Sequence, residues 1–118
     1  MPNALVVDNE RSIRMLNRIF LTTLGFSVDE SPSAEDALAK LQSGYRPQLI
    51  LTDNSMGQMT GIELIAEVSK LDKSIPCILA SSEADEYVTA ATNLGAGTLL
   101  KPFTLEQLET AVRKYFPK

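Results

Sequence analysis

Histidine is absent from the chain, and cysteine occurs once, at Cys77. Without histidine there is no Ser-His triad, no histidine-ligated zinc and no phosphohistidine on this chain. A single cysteine excludes an internal disulfide and any cysteine-based metal cluster. Cys77 lies in the apolar stretch IPCILA, where a small buried filler is the better reading. No apolar run is long enough to cross a bilayer. The apolar start at residues 4–7 is too short for a signal peptide and lacks a basic leader, so cytoplasmic residence is the expectation. Net charge is -4 and lysines and arginines do not cluster. Phosphate contacts need such a cluster, so direct binding of nucleic acid is not expected. What is present is an ordinary globular composition, 44% apolar and 22% charged over 118 residues, which suits one domain spanning 1–118 around one core.

The continuous apolar run at 4–7 has the pattern of a strand buried on both faces, and further strands are expected at 49–52, which opens with the apolar run 49–51, and at 75–80. Shorter strands are expected around 26–28 and at 97–100. Between them apolar residues recur at helical spacing: Ile13, Leu16, Phe20 and Leu24; Ala37, Leu38 and Leu41; Ile62, Ile65 and Val68; Leu105, Leu108, Val112 and Tyr115. Gly25 and Gly44 stand where the first two of these helices stop, and Gly95 stands beyond a further helix expected to run to Leu94. Ser33 is a candidate N-cap with Glu35 and Asp36 in the first turn, Ser82 and Asp85 pair as a cap, and Thr104 with Gln107 forms a capping box. Another helix begins near Gly61. Five strand–helix alternations predict an α/β domain, a doubly wound parallel sheet with helices on both faces. Periodicity does not fix the strand order.

Four chemically interesting groups follow strands. Asp8 follows the first, Asp53 the third, Ser81 the fourth and Lys101 the fifth. Strand ends of a parallel sheet share one edge, and that edge is where ligands bind in such folds. Each residue alone has an ordinary explanation: a helix cap for Asp8, a turn for Asp53 and Ser81, a solvated surface cation for Lys101. Together they form a set suited to phosphoryl transfer onto a carboxylate. Two acids repel unless a hard cation such as Mg²⁺ joins them, and an ammonium and a hydroxyl suit phosphoryl oxygens.

The segments VVDNE (6–10), LTDNSM (51–56), LASSE (79–83) and KPF (101–103), in that order, resemble the receiver domains of two-component response regulators over the whole chain. The resemblance implies a flavodoxin-like (βα)5 fold, three layers αβα, with strand order 2-1-3-4-5. It implies that Asp53 is the phosphoacceptor, that Asp8, Asn9, Asp53 and the Ser55 carbonyl surround Mg²⁺, and that Ser55 and Glu83 flank the path of attacking water. Ser81 would be the switch hydroxyl, Lys101 the ion-pairing lysine, and the Lys101–Pro102 bond cis. The chain would be a signalling receiver, catalysing only its own phosphorylation and dephosphorylation. Its partners would be a histidine kinase or phosphotransfer protein and a downstream protein or output domain. The state expected is a monomer or a weak phosphorylation-dependent dimer. The face of the fourth helix, fifth strand and fifth helix would signal, with Tyr87, Thr98, Arg113 and Lys114 as candidates.

Three positions depart from that pattern. Asn9 stands where a second acid is usual, and its neutral amide is expected to weaken Mg²⁺ binding without abolishing it. Thr98 replaces the usual aromatic three residues before the lysine. Gly57 replaces the usual proline, which frees the loop. The alternative is a receiver that acts as an interaction module independently of phosphorylation. A flavin carrier is disfavoured, because Asp8-Asn9-Glu10-Arg11 is acidic where a phosphate loop must hold an anion.

Overall fold

Five strands build one parallel sheet in the order β2-β1-β3-β4-β5. The computed structural model describes residues 2–54, 57–82 and 85–116, the side chains of Asp85 and Glu86 excepted. In chain order the elements are β1 (Asn3–Val7), α1 (Arg11–Thr23), β2 (Ser27–Ser31), α2 (Ala34–Gln42), β3 (Leu49–Asp53), α3 (Gly61–Leu71), β4 (Cys77–Ser81), α4 (Asp85–Asn93), β5 (Gly97–Leu100) and α5 (Leu105–Arg113). This is the flavodoxin-like fold, strand order included.

The period of two in β1 separates two cores. Ala4 and Val6 face one way, with Leu49, Leu51, Ile78 and Ala80, and pack against Leu21 of α1 and Leu108 and Val112 of α5. Leu5 and Val7 face the other way, with Ile50 and Leu79, and meet Ala37 and Leu41 of α2 and Leu64, Ile65 and Val68 of α3. Both faces of the central strands are covered, which is why those strands read as unbroken apolar runs.

Local signals place most helix ends. Ser33 caps α2 by accepting from the Asp36 N–H at 3.0 Å. Thr104 and Gln107 form the reciprocal box at α5, and Thr60 with Glu63 forms a second one at α3. Gly25, Gly44 and Gly95 take positive φ just beyond their helices. The Ser82–Asp85 cap lies partly outside the described residues.

Two expectations change. The stripe on α1 is offset: Asn17 and Leu21 are buried, whereas Leu16 is 43% exposed. Phe20 and Leu24 of the expected stripe do pack on the core, but at the site end of this helix polar side chains occupy the inner line, which apolar spacing does not register. The second strand runs 27–31 rather than 26–28. β2 is an edge strand paired only with β1, and its polar second half carries no hydrophobic signal.

Gly61 opens α3 directly against the end of β3. A Cβ built there meets the Asp53 carbonyl oxygen at 2.2 Å and a Leu79 methyl at 2.9 Å. The Gly61 N–H donates to the Asn54 carbonyl at 2.9 Å, and the Ile62 N–H to the Asn54 side-chain oxygen at 3.2 Å. Buried Asn54 thereby ties the chain after Asp53 to the helix start. Gly61→Ala is expected to cost about 1–3 kcal/mol of unfolding free energy, as overpacking does. Urea denaturation measures this, and a midpoint equal to that of the parent contradicts the close approach.

Candidate functional site

The strand register brings the predicted groups to one edge. Val7 pairs with Thr52, so Asp8 and Asp53 leave neighbouring strands side by side. Asp53 in turn pairs with Ala80, and Ser81 with Leu100, so Ser81 and Lys101 follow on the next two strands. The Lys101 N–H donates to the Ser81 carbonyl at 2.9 Å and extends the ladder by one bond.

Lys101 reaches back across β4 to both acids. Its Nζ lies 2.9 Å from Asp53 Oδ1 and 3.3 Å from Asp8 Oδ2. The Asp8 side chain is 1% exposed, that of Asp53 13% and that of Lys101 20%. Burial alone would lower the Lys101 pKa, but Asp53 and then Asp8 outweigh it and hold the ammonium above the ordinary lysine value. The Lys101–Pro102 bond is cis.

Asp8 serves two neighbours at once. While Oδ2 meets Lys101, Oδ1 accepts the Glu10 N–H at 2.9 Å. Glu10 is the N-cap position of α1 and forms no side-chain cap there. Asp8 thus makes a short local bond two residues ahead, just before α1, while its other oxygen faces Lys101. The main chain of Asp8 is held too: its N–H donates to the Ser31 carbonyl at 3.2 Å, and its carbonyl accepts from Arg14 Nη1 at 2.7 Å. Arg14 Nε and Arg18 Nη1 reach the two oxygens of Glu30 at 3.0 and 2.7 Å. Arg18, then Arg14, lowers the Glu30 pKa against the opposing pull of burial. Arg14 and Glu30 went unrecognised in the sequence, because a separation of six residues from Asp8 matches neither helix nor strand spacing and Glu30 lies on another strand.

The other expected residues are spread more widely. Asn9 is exposed next to Asp8. Ser55 and Glu83 lie outside the described residues. Ser81, Tyr87 and Thr98 line one cavity of about 100 Å³ between β4, β5 and α4. Gly57 has φ +113°, which a proline ring could not adopt. Arg113 pairs with Glu109 at 3.1 Å, and Lys114 is exposed beyond α5. Cys77 is buried, and burial pushes its thiol up to about 12, as suits an inert filler. A larger hollow of about 940 Å³, lined in part by Arg46, Asp72, Lys73 and Lys114, opens at the opposite edge and includes none of the pocket residues.

Comparison with known proteins places the fold in a family. A family model described as the response regulator receiver domain matches residues 4–113. Sporulation initiation phosphotransferase F of Bacillus subtilis is 29% identical over 96% of this chain and 92% of its own length. Sensor kinase CckA of Brucella abortus is 33% identical over 97% of this chain, which spans 12% of that protein. Among solved structures, the chemotaxis response regulator CheY4 of Vibrio cholerae superposes with a TM-score of 0.86 at 31% identity, covering 98% of both chains. The response regulator TrrA of Thermotoga maritima, solved with Mg²⁺ and BeF, gives 0.84 at 30% identity over 98% of this chain and 99% of that one.

Removing the cation from between two acids leaves mutual repulsion in a poorly hydrated place. Lys101→Met is expected to destabilise the metal-free protein by about 2 kcal/mol, less than for a wholly buried pair because the ammonium is partly hydrated. A folded pKa above the unfolded one contributes stability in full below the ordinary lysine value of 10.5 and loses it as pH climbs through the raised value. Thermal unfolding of both proteins across pH checks this. From neutral pH upward their difference should hold to 10.5 and shrink above it; a gap that is absent at pH 7, or that closes between pH 7 and 10.5, contradicts the pairing.

Proposed function

The chain belongs to the response regulator receiver domain family of two-component signalling, and on that premise we propose that Asp53 accepts a phosphoryl group from a histidine kinase or phosphotransfer protein. One observation carries the reading: a single ammonium bridges the Asp53 and Asp8 carboxylates at the carboxyl edge of the sheet. Asp53 is the more open acid of the two, so it is the one a donor reaches. A carboxylate oxygen of Asp53 bonds to phosphorus as the donor's bond to phosphorus breaks. Lys101, already within hydrogen-bond reach of Asp53, meets the charge arriving on the phosphoryl oxygens. Ser81, one strand further, supplies the hydroxyl that would turn toward them and bias a two-state equilibrium.

The donor set suits Mg²⁺. Asp8 and Asp53 are hard oxygen ligands of the number this ion takes from protein, the remainder being water. Asn9 would add a neutral carbonyl and Ser55 a backbone one. Among the described residues no third acid joins the pair. Bound there, the ion would supply positive charge against the incoming phosphoryl group.

Docking of the donor is supported by α1. Met15, Leu16 and Ile19 are 49%, 43% and 56% exposed, an apolar surface on the helix that begins beside Asp8. Signalling onward through α4, β5 and α5 is supported by the cavity shared by Ser81, Tyr87 and Thr98.

Incubation with a small phosphodonor and Mg²⁺ followed by intact-mass measurement tests the proposal. One phosphoryl adduct is expected, and none in Asp53→Asn. Absence of the adduct, or its survival in Asp53→Asn, overturns the assignment. For the metal, Asn9→Asp restores a carboxylate and is expected to tighten Mg²⁺ binding by about 1–4 kcal/mol before relaxation. Equal affinities in a Mg²⁺ titration would remove Asn9 from the ion's surroundings.

A further inference from the structure

We propose that Arg14 is a positioning residue for the acid pocket, holding the Asp8 main chain where its carboxylate can serve a cation. This rests on the Mg²⁺ reading above and adds to it the device that places its most buried ligand.

Asp8 lies just past β1, where the ladder no longer fixes the backbone. Its peptide groups are secured from two sides: the N–H by Ser31 at the end of β2, and the carbonyl by the Arg14 guanidinium. Arg14 is itself held by Glu30, the residue before Ser31, at 3.0 Å. The guanidinium suits this task because its fork makes two bonds in fixed directions, one to a carbonyl and one to a carboxylate. Its side chain is only 16% exposed, so water replaces these bonds poorly.

Glu30 has a second effect. An uncompensated guanidinium this close to Asp8 would repel an incoming cation. Paired with Glu30, Arg14 orients the acid while its charge is offset. Arg18 provides an internal comparison. It binds the same glutamate at 2.7 Å, is 55% exposed, and has no bond to Asp8 among the described residues.

Outer partners of metal ligands typically change affinity by about 10–100-fold when removed. Titration with Mg²⁺ alone, together with amide exchange at Glu10 in metal-free protein, tests the role. Exchange at Glu10 reports Asp8 directly, because that N–H donates to Asp8 Oδ1. Arg14→Met is expected to raise the Mg²⁺ Kd about tenfold or more and to speed Glu10 exchange. Arg14→Lys should fall between, with one donor direction kept. Glu30→Gln should weaken Mg²⁺ binding in a way that added salt reduces. Arg18→Gln should leave the Mg²⁺ Kd unchanged.

A folded Arg14→Met with the parent's Kd overturns the inference, as does an Arg18→Gln loss equal to that of Arg14→Met, which would mean general destabilisation. If Arg14→Met fails to fold, Arg14→Lys decides: a Kd and a Glu10 exchange rate equal to the parent's overturn the role. Asp8→Ala separates the layers. If it leaves the Mg²⁺ Kd unchanged, the metal pocket and this inference fall together; if it loses binding while Arg14→Met does not, only this inference falls.

Discussion

An ammonium set between two carboxylates from different strands is the constraint on which the rest of the site depends. Lys101 has to cross β4 to reach Asp53 and Asp8, and it can do so only if β5, β4, β3 and β1 are neighbours with their carboxyl ends level. The pair of acids with one cation keeps a residual negative charge in a place largely closed to water. That state is tolerable for folding and receptive to a further cation, and it exposes Asp53 more than Asp8. Stability and the proposed phosphoryl transfer thus draw on the same three side chains.

Around that centre, the fold works to hold backbones rather than side chains. Gly61 lets α3 start against the Asp53 carbonyl, and Asn54 ties the turn between them. Arg14 and Ser31 secure Asp8 from either side. The Lys101 N–H continues the β4–β5 ladder past its last paired residues. Each of the three charged groups stands one residue from, or at, the last rung of a strand, where the sheet itself supplies most of the precision. The remaining freedom is removed by one glycine, one asparagine and one arginine.

Most of this was legible in the sequence because buried parallel strands are unbroken apolar runs and their ends are marked by the first polar residue. Asp8, Asp53, Ser81 and Lys101 were found that way, and the Thr104–Gln107 box and the Gly61 start were read from local chemistry alone. Strand order was not in the periodicity; it came from the family resemblance. What stayed hidden was polar structure on surfaces expected to be apolar. The inner line of α1 carries Arg14 and Asn17, so the stripe through Ile13, Leu16, Phe20 and Leu24 is right at Phe20 and Leu24, which pack on the core, and misses at Leu16. The end of β2 is Asp29-Glu30-Ser31, too polar to register as strand, although it supplies both the Arg14 counter-ion and the carbonyl that holds Asp8. These residues interact only once β1 and β2 are side by side, and no spacing along the chain encodes that.

Of the departures, Asn9 and Gly57 follow strands β1 and β3, whereas Thr98 lies inside β5 beside Leu79. A neutral amide replaces a charge, a positive φ replaces a proline, and a small side chain borders a cavity that Ser81 and Tyr87 share. None of them disturbs the lysine and its two acids. The most direct test of that centre is the titration of Lys101 itself, followed by NMR of its labelled Cε carbon in metal-free protein. The account predicts a midpoint above the ordinary value of 10.5, falling below it when Asp8→Asn and Asp53→Asn are combined and burial acts alone. A midpoint at or below 10.5 in the parent, or one unmoved in the double variant, would contradict it.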